Sequence, residues 1–345
     1  MSEQNDHVVL DVKGLQTYFY TDDGVVKAVD GLSYQVRNGE FVGLVGESGC
    51  GKSVSAMSVL RLIPYPPGVI AGGQIVFKGE DLLQASEERM REIRGNRIAM
   101  VFQEPTTSLN PVLTVGRQIS ESLELHRGLD KNEARDESAR LLDLVGIPDP
   151  SKRVTDYPYQ FSGGMQQRIM IAMALSCDPE LLIADEPTTS LDVTVQAQLL
   201  EIIAKLRDEF QMAVVVITHN LGLVARYVDR VNVMYAGKLV ESGPTETIFA
   251  EPKHPYTVGL LASVPRLDSH HKVVPRVIPG LPPNLAHLSQ GCSFAPRCAY
   301  AMDECRASAP QLEPVATTGA AAEASGHERA CFYDAAKLEK VDMLD

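Results

Sequence analysis

Three stretches of this chain are apolar without alternation, and each ends in small or polar residues. The first, EFVGLVG at 40–46, is short and β-rich, which predicts a strand buried on both faces. It runs straight into ESGCGKS and then VSAMSVLRLI, whose apolar spacing predicts a helix. The second, LLIADEP, ends at Pro187, and the third, AVVVITHN at 213–220, follows the helical pattern LLEIIAKLRDEF. Strand and helix alternate, which predicts the α/β class with a mostly parallel sheet covered on both faces.

From about Ser108 to Cys177 the texture changes. Segments such as ESARLLDLVGI and MQQRIMIAMAL carry helical spacing and predict a mainly helical insertion over 108–177. After VMYAGKLVESG come EPKHPYTVGLLASVPRL and a proline-punctuated tail. The main domain is therefore expected over 1–250, with 251–345 as an extension. Residues 315–328, VATTGAAAEASGHE, are rich in small side chains and predict a flexible loop. No internal repeat is visible.

The formal charge of −13 over 345 residues argues against function classes that need a field attracting phosphate. It disfavours sequence-independent binding to nucleic acid and charge-driven docking on an anionic membrane, so membrane contact would run through a protein partner. No run approaches the roughly 18 uninterrupted apolar residues of a spanning helix. The start, MSEQNDHVVLDV, lacks the basic and apolar regions of a signal peptide, so the expectation is a cytosolic chain. In that reducing compartment, clustered cysteines are more often metal ligands or reactive thiols than disulfides.

Between the first strand and its helix, GESGCGKS at 46–53 matches G-x-x-x-x-G-K-[ST] in the strand–helix context this motif needs. Gly46, Gly49 and Gly51 let the backbone turn so that N–H groups from about Gly49 to Ser53 point at phosphates, with the helix dipole behind them. Glu47, Ser48, Cys50 and Val54 complete the loop. Lys52 suits the β- and γ-phosphates, and the Ser53 hydroxyl suits Mg²⁺. A glycine-rich turn without a ligand is the bland alternative. Asp185 closes an apolar strand, where a carboxylate holds Mg²⁺ through water, and Glu186 follows where a base polarises an attacking water. His219 closes the next strand in the same manner; a histidine there is usually structural and takes its weight from its company.

FSGGMQQR places Ser162, Gly163 and Gly164 before a helix expected to begin near Met165, a second candidate anion site that is otherwise an ordinary N-cap. At this point the chain resembles the ATP-binding cassette proteins. GESGCGKS is similar to their Walker A, Gln103 in VFQEP to their Q-loop, FSGGMQQR to their signature and LLIADEP to their Walker B. SLDVT at 190–194, with Asp192, is similar to their D-loop, and ITHN to their switch histidine. The resemblance implies a RecA-like parallel sheet, an antiparallel β-subdomain, a helical signature subdomain, and a small Cys-rich C-terminal extension. It also implies ATP and Mg²⁺, the latter with Ser53, Gln103 and Asp185, sandwiched between two such domains. Ser162, Gly163, Gly164 and Gln166 would then act on the partner's nucleotide. Phe19, or alternatively Tyr18, would stack on adenine; either is equally a core aromatic. Two positions depart from the family pattern: Phe161 stands where Leu is usual, and Asn220 where Asp is common after the histidine.

TTSLNP, DEPTTSLDVTVQAQ, HPYTVGLLASVP and IPGLPPN narrow the resemblance to dipeptide and oligopeptide import ATPases, a group that includes nickel importers. It implies a heterodimer with a paralogous ATPase, two transmembrane permease subunits, an external substrate-binding protein and a place at the cytoplasmic face of the membrane. A soluble ABC ATPase without a membrane partner and a kinase are the rivals; the acidic balance counts against the first, the signature and D-loop against the second. Cys50 and Cys177 read as structural. Cys292, Cys298, Cys305 and Cys331 have five, six and twenty-five residues between them, gaps that suit neither zinc ribbons nor the bacterial ferredoxin run. Spacing alone leaves free thiols, zinc and an iron–sulfur cluster open. The resemblance favours a 4Fe-4S cluster in the segment 291–333, because some peptide-import ATPases carry this cysteine pattern.

Overall fold

The computed structural model describes residues 8–187, 193–264, 277–315 and 326–338. Its strands are β1 (Val8–Thr21), β2 (Gly24–Arg37), β3 (Phe41–Val45), β4 (Gly68–Phe77), β5 (Glu80–Asp81), β6 (Ile98–Val101), β7 (Leu181–Asp185), β8 (Ala213–Thr218), β9 (Arg230–Tyr235), β10 (Lys238–Pro244), β11 (Glu313–Pro314) and β12 (Glu328–Arg329). The described residues fall into two compact units, one drawn from 1–10, 36–41 and 76–217, the other from 11–35, 42–75 and 218–345.

In the first unit β6, β7 and β8 run parallel, with Ile98 opposite Leu181 and Leu181 opposite Ala213. Both β7 and β8 are buried along their length. Their uninterrupted apolar runs fit that position, since a parallel strand is covered on both faces. The helix Val193–Phe210 lies between them in the chain and supplies the long crossover a parallel pair needs. The insertion is mainly helical, with Val115–Ser122, Lys131–Leu144 and Gly163–Ala174. Asp130 and Glu133 form a reciprocal capping box that starts the second of these. The third begins at Gly163, two residues before the expected Met165, because Ser162 accepts the Met165 N–H at 3.4 Å and draws both glycines into the first turn.

In the second unit β1 lies between β2 and β4, and a two-residue turn joins β1 to β2, which only an antiparallel pair permits. The residue pattern alone predicted no strand before Glu40. Its alternation changes phase: Leu10 and Val12 are buried, then Leu15 and Thr17, with Gly14 at φ 55° absorbing the slip between them.

β3 pairs in parallel with β9, β9 antiparallel with β10, β10 with β12, and β12 with β11. The tail thus returns to extend the sheet beside β10. Glu241 on β10 is fully buried. Its carboxylate accepts the N–H groups of Lys253 (2.6 Å) and His254 (3.0 Å) and lies 2.8 Å from His327 Nε2. Complete burial pushes the His254 pKa down to about 4, so the neutral ring accepts the Tyr256 N–H at Nδ1 (3.0 Å) and caps the helix Pro255–Ala262.

Glu241→Ala strands two N–H donors and His327 in a buried site. We expect a loss of about 3 kcal/mol. A lower urea midpoint, with protease cutting first after Pro244, is the readout; an unchanged midpoint refutes the anchor.

Candidate functional site

The phosphate loop lies in the second unit, and the structure states in distances why its glycines are there. Gly51 has φ 104°, and a Cβ on it would stand 2.0 Å from the Ala28 carbonyl oxygen. Gly46 meets Met234 O at 2.3 Å in the same way, whereas Gly49 at φ 78° faces open space. The Gly237 N–H donates to Cys50 O at 2.9 Å, tying the loop to the β9–β10 turn. Gly51 has no side chain to cap the helix Lys52–Val59 that it starts, so its own cap leaves the dipole's positive end uncompensated. Lys52 is buried, and its Nζ donates to the carbonyls of Gly46 and Glu47, 2.9 Å each, inside the curve of the loop.

Glu47 is held from the C-terminal region. Its N–H donates to Tyr256 Oη (2.8 Å), and its carboxylate takes both arms of the Arg297 guanidinium at 2.6 and 2.9 Å. Tyr256 lies in the HPYTVGLLASVP stretch but was given no role there, and Arg297 was not singled out in the sequence, where no local signal marks it.

On β1 the Tyr18 hydroxyl donates to Asp30 (2.7 Å), and burial together with that carboxylate raises its pKa to about 12. Phe19, half-buried on the opposite face, packs where a Cβ on Gly68 would be 2.9 Å away. His219 is exposed just past β8. The departure at Asn220 has a local job: its side chain accepts the Leu223 N–H (3.4 Å) and caps the helix Leu221–Tyr227, as Asp does equally well.

The first unit holds the other candidates. Asp185 is buried at the end of β7. Glu186 follows at φ 43°, a left-handed conformation that costs a non-glycine residue strain and turns the side chain off the strand line. Gln103 Nε2 donates to Glu186 Oε2 at 3.0 Å. Ser162 and Gly163 are exposed, while Gln166 turns inward, its amide donating to Pro158 O (2.8 Å) and Phe161 O (3.3 Å). Gln166 therefore supports the turn that presents Ser162. Asp192 lies outside the described residues.

Cys50 and Cys177 are both buried. The other four cysteines line one pocket with Phe294, Tyr300, Phe332 and Tyr333. Cys292 N–H donates to Cys305 O (2.8 Å), which closes the segment on itself. Burial, then the neighbouring thiols, raises the pKa of Cys298, and burial carries Cys331 to about 11. Yet among the described residues no three His, Cys, Asp or Glu side chains stand close enough to chelate a single ion.

The ABC transporter family profile matches residues 29–189, and the oligopeptide/dipeptide transporter C-terminal region matches 240–305. A "Probable peptide ABC transporter ATP-binding protein" of Sinorhizobium fredii is 51% identical, covering 94% of this chain and 95% of that protein. A Brucella melitensis protein, provisionally named a peptide import ATP-binding protein, is 52% identical over 89% of this chain and 94% of its own. Among solved structures, the dimeric ATP-binding cassette MJ0796, in a post-hydrolysis state with ADP and Pi, superposes with a TM-score of 0.61 at 25% identity. It covers 68% of this chain and 98% of that one. The chain belongs to the ABC transporter family of ATP-binding subunits, and it is an ATPase. Within that family its C-terminal region is of the oligopeptide/dipeptide transporter kind. No helix among the described residues is long and apolar enough to cross a membrane.

Gly51→Ala drives a methyl group into Ala28 O. We expect at least a tenfold loss of nucleotide affinity, read by titration with a fluorescent ATP analogue; retention of full affinity contradicts this placement of the loop.

Proposed function

We propose that this chain is the ATP-hydrolysing motor subunit of a membrane importer for di- and oligopeptides. The observation that carries the reading is the phosphate loop, whose glycines press against backbone carbonyls while Lys52 sits within its curve. Relatives named for peptide import, alike over nearly the full chain, support the cargo class.

In this reading residues 1–250 form the nucleotide-binding domain, with the helical subdomain at 108–177, and 251–345 the peptide-importer extension. Lys52 exchanges loop carbonyls for the β- and γ-phosphates, and Ser53, Asp185 and Gln103 serve Mg²⁺ directly or through water. Glu186 polarises the attacking water and His219 contacts the γ-phosphate. The Gln103–Glu186 hydrogen bond gives this role a physical handle: a neutral amide restrains the carboxylate without neutralising it. Ser162, Gly163 and Gly164 offer an exposed helix start to the nucleotide of a paralogous ATPase, and Asp192 belongs to the same dimer face. Phe19 stacks on adenine, since the Tyr18 ring already has Lys27 Nζ over its face, 5.6 Å from the centroid.

The assembly sits at the cytoplasmic face as a peripheral part of the complex, beneath two permease subunits served by an external substrate-binding protein. Cys292, Cys298, Cys305 and Cys331 hold a structural 4Fe-4S cluster. The fit rests on the donor set: four thiols around one apolar-walled pocket, in a segment with little core of its own.

Glu186→Gln keeps the shape and removes the base. We expect ATP turnover to fall at least 100-fold with nucleotide affinity within about threefold of the parent; unimpaired turnover removes Glu186 from the chemistry. Anaerobic affinity purification from native membranes checks the rest. A second ATPase, two membrane subunits and equal iron and sulfide are expected. This polypeptide alone overturns the transporter assembly, and stoichiometric zinc without sulfide overturns the cluster.

A further inference from the structure

The turn Ala295–Arg297 is strung between Cys292 and Cys298, pinned by Ala295 N–H to Cys292 O (3.0 Å) and Cys298 N–H to Ala295 O (3.3 Å). Arg297 leaves it with its side chain 6% exposed. Its Nε donates to Pro279 O (2.9 Å), and its two remaining arms grip Glu47 in the phosphate loop. Phe294, one turn earlier, packs edge-on against Tyr235 (5.2 Å between centroids) and 5.4 Å from Tyr256. Tyr256 accepts the Glu47 N–H, so the loop's second residue is fixed at backbone and side chain by one cysteine-bearing segment and the helix it packs on.

We propose that Arg297 is a positioning residue for the phosphate loop and that a change at the cysteine pocket is transmitted to nucleotide affinity through the Arg297–Glu47 pair. This rests on the reading of 46–53 as the ATP site. The physical basis is directness. A planar guanidinium in a two-pronged grip fixes its carboxylate in angle as well as distance, and Arg297 is one residue from Cys298. Any rearrangement that draws the thiols inward or releases them moves the turn that carries the grip. Glu47 in turn sets the carbonyl on which the Lys52 ammonium rests.

The test uses the purified complex, titrated with a fluorescent ATP analogue and assayed for steady-state turnover. Arg297→Gln is expected to weaken nucleotide binding about five- to tenfold and to raise KM for ATP in step, with kcat within about twofold. Arg297→Lys falls between, since an ammonium cannot make the fork. Glu47→Gln, which cuts the same pair without touching the cysteine segment, reproduces the shift even if Arg297→Gln is not recovered folded. The exchange Glu47→Arg with Arg297→Glu recovers part of the loss. Cys331→Ser, which opens the pocket away from the turn, weakens binding in the parent but adds little on top of Glu47→Gln. Parental affinity in both Arg297→Gln and Glu47→Gln overturns the positioning role. Full additivity of Cys331→Ser with Glu47→Gln overturns the transmission. A parent complex that binds no nucleotide refutes the ATP-site reading instead.

Discussion

A loop that gathers its N–H groups on one side must press its other side against something, and here that something is backbone carbonyl. Gly51 against Ala28 O and Gly46 against Met234 O leave no room for a Cβ, and the Gly237 N–H reaches back to Cys50 O. The curvature that suits a polyphosphate is therefore set by the β9–β10 turn and by β2 as much as by the loop's own sequence. Charge follows shape. Lys52 rests on the loop's own carbonyls, so its ammonium is desolvated yet hydrogen-bonded, the condition under which a buried cation is tolerable.

What the residues disclosed and what they concealed divide along a physical line. β3, β7 and β8 were legible because strands buried on both faces must be apolar throughout. β1 was not, since its alternation slips at Gly14 and each half is too short to declare a period. Gly51 and Lys52 were readable because a phosphate loop is local, with its chemistry within eight residues of sequence. Arg297 and Glu47 stand 250 residues apart, and nothing near either announces the other. The cysteines lie between these extremes: their spacing left free thiols, zinc and iron–sulfur open, and only the fold shows the four lining one pocket.

The same contrast applies to Asn220 and Gln166. Asn220 stood out as a departure from a pattern and proves to be a helix cap, a demand that Asn and Asp meet alike. Gln166 was named with the signature residues, and within the chain its amide serves the carbonyls of Pro158 and Phe161. In both cases the backbone's unpaired groups were invisible in the letters and decisive in the structure.

The return of the tail to β10 has a consequence in time. Glu241 waits for His327, 86 residues later, and β10 waits for β12. On a ribosome, β10 emerges several seconds before its neighbour at ordinary synthesis rates. The partner that grips Glu47 is likewise made 250 residues after it. A chain cut short before the cysteine segment has the whole phosphate loop and lacks what steadies it, so the loop gains its full support only once that segment has been made.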